Sequence, residues 1–91
     1  MKRPLFDLGR IVATPGALRL FEEKGADPLL FLSRHITGDW SEMSEDDQEA
    51  NRHGVLEGSR VFSAYSVCGV KVWIITEADR SATTFLLPDE Y

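Results

Sequence analysis

The residues best suited to chemistry stand together near the end of the chain, in the run Thr76-Glu77-Ala78-Asp79-Arg80-Ser81-Ala82-Thr83-Thr84. Two carboxylates one residue apart can divide acid and base roles when their surroundings separate their pKa values. A neighbouring guanidinium can clamp an anion with two parallel hydrogen bonds. Thr76, Glu77, Asp79, Arg80, Thr83 and Thr84 therefore form the candidate binding set. The same residue types also make turns, because Asp and Ser side chains bond nearby backbone N–H groups, and an Arg–carboxylate pair stiffens a hairpin. The run reads first as a structural turn, next as a binding loop, and no residue in it is assigned a catalytic role.

His35, His53 and Cys68 are the residues able to form a soft metal site or a nucleophile–base pair. They stand alone on separate segments, with none of the paired spacings that zinc sites use, so no metal is expected. Their plain readings are a helix-end histidine, a surface histidine and a turn cysteine, with His35 as a cation favoured by a helix C-terminus. The seven glycines never form a dinucleotide fingerprint or a phosphate loop, and no cofactor is expected. Gly16, after Thr14-Pro15, places backbone amides at a helix start, where an anion can sit. Phe62, Tyr65 and Trp73 are the types that stack on bases, yet without flanking Lys or Arg they read as core or subunit interface.

Charge narrows the partners. Fifteen acidic against ten basic residues give a net charge of −5. Non-specific nucleic-acid binding depends on Lys and Arg neutralising phosphates, and the chain has no basic stripe beyond a patch of Lys2, Arg3 and Arg10. Direct nucleic-acid binding is disfavoured, and a basic protein partner fits the charge better. No apolar run approaches the roughly 18 residues of a membrane span, no secretory leader is read at the start, and one cysteine suits a reducing compartment. The expectation is a cytoplasmic protein of one domain, residues 1–91.

The elements that position these residues follow from capping signals. Gly9–Ala13 is short and β-like. Thr14-Pro15 and Asp27-Pro28 each pair an N-cap with a proline at the first helical position, and Gly25 and Gly38 follow the two helices. Ser44 caps a third, polar helix that Gly58 ends, and the dipole accounts for the acids Glu45, Asp46 and Asp47 in its first turn. Three strands follow, around Arg60–Val67, Lys71–Thr76 and Ala82–Pro88, with Cys68-Gly69-Val70 and Glu77–Ser81 as turns. Val72 and Ile74 alternate with Trp73 and Ile75, so the middle strand is apolar on both faces and covered on both. Helices cover one face; the other is exposed, closed by Trp40 or the tail, or paired with a second subunit. The expected fold is α+β: a short N-terminal strand, three helices, then a three-stranded antiparallel meander that the N-terminal strand can join at an edge. A thin core and a two-sided sheet point to a homodimer.

Three segments carry a resemblance: Ala13–Leu18 (ATPGAL), Pro28–Trp40 (PLLFLSRHITGDW) and Val72–Tyr91 (VWIITEADRSATTFLLPDEY). The chain resembles a family of small bacterial plasmid-related proteins, some of them labelled a type I restriction subunit M. The resemblance implies association with plasmid, phage or restriction-linked DNA and supplies no site residues. A methyltransferase of that type needs an N-P-P-Y or D-P-P-Y motif and an S-adenosylmethionine domain; this chain has neither the motif nor the length. The leading expectation is a non-enzymatic protein-interaction module. The alternative is a small RNA-directed toxin-type enzyme acting through Glu77, Asp79 and Arg80.

Overall fold

In the computed structural model, which describes residues 3–91, the elements run β1 (Arg10–Ala13), α1 (Pro15–Lys24), α2 (Pro28–Ile36), α3 (Glu45–Glu57), β2 (Val61–Val67), β3 (Val70–Thr76) and β4 (Ala82–Leu86). A single 3-10 turn, Pro88–Glu90, closes the chain. Lys2, from the basic patch, lies outside the described residues. The fold is α+β, as expected, but the sheet is four-stranded and mixed, in the order β1-β4-β3-β2. The meander β2-β3-β4 is antiparallel, and β1 extends it by pairing parallel with β4. No helix among the described residues is long and apolar enough to cross a membrane.

The helix boundaries follow the caps. Thr14, Asp27 and Ser44 have extended backbones, and their side chains accept from Ala17, Leu29 and Asp47 backbone N–H groups. Gly25 and Gly58 end α1 and α3 in the left-handed conformation. Val70, expected in the first turn, belongs to β3. The β2–β3 connection is thus the two residues Cys68-Gly69, both at positive φ (49° and 86°). Such a turn matches the right-handed twist of the strands it joins.

Strand alternation sorts the sheet into two faces. Val61, Ser63, Tyr65 and Val67 share one face with Val72, Ile74, Thr76, Thr83 and Phe85, and all are buried. α1 and α2 lie on this face: Ala17, Leu20, Phe21 and Leu32 join Tyr65, Val67, Val72, Ile74 and Phe85 in the core. Phe21 meets Phe85 edge-on at 5.7 Å between ring centroids, a geometry aromatic pairs prefer. Trp40 is buried here, so it anchors the helix side and does not close the far face.

The C-terminal tail covers the far face. Tyr91 packs on Trp73 at 5.7 Å, and Trp73 on Phe62 at 4.9 Å. Glu90 fastens the tail: its carboxylate accepts from the Thr14 hydroxyl (2.5 Å), the Gly16 N–H (3.1 Å) and the Leu87 N–H (2.9 Å). The anion site foreseen at Gly16 is therefore filled from within the chain. The Thr14 hydrogen bond, first among these contacts, holds the Glu90 carboxyl below its usual range.

The two sheet edges are treated differently. α3 was expected to be a polar surface helix, yet Asn51 and Gly54 on it are buried. The Asn51 amide pairs with the outward backbone of Phe62 in β2, Nδ2–H to C=O at 2.5 Å and N–H to Oδ1 at 3.0 Å. Farther along the same edge, the Ser66 N–H donates to Glu42 Oε1 at 2.9 Å. Gly54 lets α3 come this close, since a Cβ there would lie 2.8 Å from the Arg60 carbonyl oxygen. The β2 edge is closed by side chains.

Candidate functional site

The second turn is built by its own backbone. Glu77 N–H donates to the Ala82 carbonyl, Arg80 N–H to the Glu77 carbonyl, and Ser81 N–H to Asp79 Oδ1. Arg80 has a left-handed φ of 59°. This conformation turns its side chain back under the sheet end. Nη1 donates to the carbonyls of Ser59 (2.6 Å) and Glu77 (3.2 Å), and Nη2 to that of Gly54 (2.9 Å). Arg80 thus caps the end of α3 and engages neither turn carboxylate. Glu77 pairs with Arg60 at 3.4 Å, which corrects the expected Arg80–carboxylate pair.

The six candidate residues separate into three groups. Glu77, Asp79 and Arg80 shape the turn. Thr84 lies on the tail face of β4, partly exposed. Thr76 and Thr83 are fully buried on the helix face and bonded to each other at 2.7 Å. There they join a histidine that the sequence placed as a cation at a helix end. His35 is fully buried, with Nδ1 2.5 Å from Ser63 Oγ and Nε2 2.8 Å from Thr76 Oγ1.

These contacts form a chain with one possible direction. Trp40 Nε1–H can only donate, and it donates to Ser63 Oγ at 2.8 Å. Ser63 keeps a second lone pair and its hydroxyl proton for His35 Nδ1, 2.5 Å away. At the other end Thr83 donates to the Leu8 carbonyl at 2.7 Å, which makes Thr83 the acceptor from Thr76 and Thr76 the acceptor from His35 Nε2–H. His35 Nε2 therefore carries a proton, fixed from the Thr83 end, and Nδ1 of the neutral ring accepts from Ser63 Oγ. Burial, with the Arg80 charge adding to it, pushes its pKa down from 6.5 to about 3. The helix-end cation reading fails because the ring points into the sheet.

The N-terminal segment seals this network. Phe6 stands edge-on to His35 at 5.1 Å, and the Arg80 guanidinium lies 5.5 Å over the Phe6 ring. Gly9, at a φ of +64°, brings the segment against the second turn; a Cβ there would fall 2.3 Å from the Arg80 carbonyl oxygen. Ser63–His35 has the spacing of a nucleophile–base pair, but both residues are fully buried and the Ser63 oxygen already accepts from Trp40. The arrangement holds α2, the sheet and the N-terminal segment together and leaves no room for a substrate.

The sequence offered one signal for this network. Ser63, Thr76 and Thr83 are the polar residues at inward positions of three neighbouring strands. His53 is exposed on α3 between Glu49 and Glu57, and Cys68 is exposed at the hairpin tip. Among the described residues no cluster of three His, Cys, Asp or Glu is arranged to hold a metal ion.

The open concavities are apolar. A groove of about 260 Å³ runs between β1, α1 and α2, lined by Ile11, Val12, Ala13, Leu18, Phe21, Pro28, Leu29, Leu32 and Phe85. A second hollow, about 230 Å³, lies between Leu5, Trp40, Arg52, Val55 and Leu56. Such linings bind aliphatic surface and supply no acid, base or nucleophile. No family model, curated protein or solved structure matches the chain.

Arg80 gives a direct test of the turn. Arg80→Ala is expected to lower stability by about 2–3 kcal/mol, because three carbonyls lose a charged donor. Asp79→Ala, which removes one exposed turn hydrogen bond, should cost about 1 kcal/mol or less. Urea unfolding of the two variants checks the order; equal losses would show that the guanidinium contacts contribute little.

Proposed function

We propose that this protein is a non-enzymatic interaction module acting in the cytoplasm. From the resemblance of its segments, its setting is plasmid-, phage- or restriction-linked DNA. The observation that carries the reading is the contrast between the sheet edges: β2 is closed by Asn51 and Glu42, while β1 is bare and lies beside an aliphatic groove. Exposed edges are normally blunted, and one left bare beside apolar surface is a contact surface. The buried polar side chains are all satisfied internally among the described residues, which leaves no poised reactive group. The toxin-type alternative draws on Glu77, Asp79 and Arg80; an Arg80 already bonded to three carbonyls favours the binding reading.

A second surface suits a basic partner. Glu45, Asp46, Asp47, Glu49 and Glu57 are all exposed on α3, at the far side of the sheet from β1. A tagged pull-down from the native host, at low and moderate salt, tests the reading. Wild type is expected to retain a Lys- and Arg-rich protein that moderate salt weakens. The Glu49→Lys/Glu57→Lys double variant should lose it. Capture of no protein besides the bait itself overturns the proposal.

A further inference from the structure

The bare edge is short and its hydrogen-bonding groups can be counted. Arg10 N–H donates to the Ser81 carbonyl and Thr14 N–H to the Phe85 carbonyl, so the even-numbered residues of β1 turn their backbone groups toward β4. Ile11 and Ala13 turn theirs the other way. Their two N–H and two C=O groups face outward, with no strand of the described residues beside them. The side chains around this edge are aliphatic and open: Ile11 is 50% exposed, Leu18 52% and Leu29 66%. An edge of this kind is completed by another strand.

We infer that the strand is β1 of a second copy, paired antiparallel across a two-fold axis at Val12, so that two four-stranded sheets join into one of eight. In an antiparallel pair, only residues that face each other exchange hydrogen bonds. Pairing Ile11 with Ala13 of the second copy, and Ala13 with its Ile11, satisfies all four outward groups on each strand. Centring the pair on Ile11 or on Ala13 leaves half of them unpaired. The two-fold register is therefore selected by the residues themselves.

Side chains agree with the same register. Ile11 of one copy comes to rest over Ala13 of the other, at the mouth of the aliphatic groove. On the opposite face Arg10 lies across from Thr14 of the second copy, whose hydroxyl holds the Glu90 carboxylate. Arg10 is exposed and makes no ion pair among the described residues, so each copy offers a cation where the other presents an anion. This complementarity favours a second copy over an unrelated strand. An interface built on one short strand pair belongs with the small specific contacts, at or below roughly 1,200 Å² in total, so the association is expected to be weak. The dimer would carry one acidic α3 at each end, a bivalent form of the module proposed above.

This inference rests on reading the β1 edge as a contact surface, whereas the pull-down tests α3, so each can fail alone. Sedimentation of wild type from low to high micromolar concentration should move from 10.2 kDa toward twice that mass. Ile11→Lys, which keeps every intrachain β1–β4 hydrogen bond, should raise the dissociation constant at least tenfold with an unchanged thermal midpoint. In a Cys68→Ser background, Val12→Cys should cross-link on oxidation, since a directly opposed non-hydrogen-bonded pair has Cα atoms about 4.5 Å apart, within disulfide range. Ile11→Cys, two residues out of register with itself, should cross-link far more slowly. A monomer at high micromolar concentration overturns the inference, as does a dimer indifferent to Ile11→Lys or one in which Ile11→Cys cross-links first.

Discussion

His35→Ala is expected to lower the unfolding free energy by about 3–5 kcal/mol. Two losses combine. The ring fills a fully buried site, so its removal leaves a cavity. It also joins the two halves of the hydrogen-bond chain, and without it Ser63 loses its acceptor and Thr76 its donor inside the protein. For a domain whose whole stability is of order 5–15 kcal/mol, such a loss brings the folded state close to melting at room temperature.

The same histidine gives stability a distinct pH dependence. Its folded pKa is about 3 and its ordinary value is 6.5. Above pH 6.5 the ring is neutral in both states, and the stabilisation is fully present. As pH falls below 6.5 the unfolded chain takes up a proton that the folded chain refuses, so stability declines steadily toward pH 3. By pH 4.5 the loss is about 3 kcal/mol. Asp39, held down first by its hydrogen bond from Arg34, and Glu90, by Thr14, add their own losses only at lower pH, within the carboxylate range. Urea unfolding at several pH values between 8 and 5 checks this. Wild type should hold its stability from pH 8 to about 6.5 and weaken below that, and His35→Ala should start weaker and stay nearly flat. A wild-type stability independent of pH there would show that the ring takes up its proton equally in the folded and unfolded chain, so that burial does not depress its pKa.

Asn51→Ala carries the second largest expectation, a loss of about 2–4 kcal/mol. The amide of Asn51 acts as a one-residue strand along the β2 edge, giving Phe62 both a donor and an acceptor. Truncation leaves two partly buried backbone groups without partners. Asn51→Leu, which restores volume but neither bond, should recover little of the loss and so separates hydrogen bonding from packing. Amide exchange supplies a local reading: the Phe62 N–H should be protected in wild type and exchange rapidly in both variants. Both should also aggregate more readily, because a second sheet edge opens. Protection of Phe62 unchanged in Asn51→Ala would mean that the edge is closed by something other than this side chain.

Local signals accounted for much of the architecture. Thr14-Pro15, Asp27-Pro28 and Ser44 mark where helices start, because each supplies an acceptor to orphan N–H groups within three residues. Alternation in Val72–Ile75 marked a strand covered on both faces, as the burial of Val72, Ile74 and Ile75 bears out. These features depend on residues adjacent in sequence. The turn at Glu77–Ser81 was likewise legible as a turn, and its reading as a binding loop rested on residue types alone.

Long-range pairing lay beyond such signals. The parallel β1–β4 pair joins residues about seventy positions apart, and four residues of β-like sequence do not state which strand they will meet. His35 looked like a helix-end cation because it lies in the last turn of α2, where the helix dipole favours positive charge. Its neighbours in space are Ser63, Thr76 and Phe6, drawn from two strands and the N-terminal segment. Arg80 stands beside two carboxylates in sequence and bonds three carbonyls in space, because a left-handed φ redirects it. Sequence by itself determined where the helices begin and end, which segments are strands, and that the protein is acidic, since caps, periodicity and charge act over a few residues. Tertiary structure alone decided which polar groups are buried together, which edge is closed and which is bare, because partners are chosen by packing between segments distant in the chain.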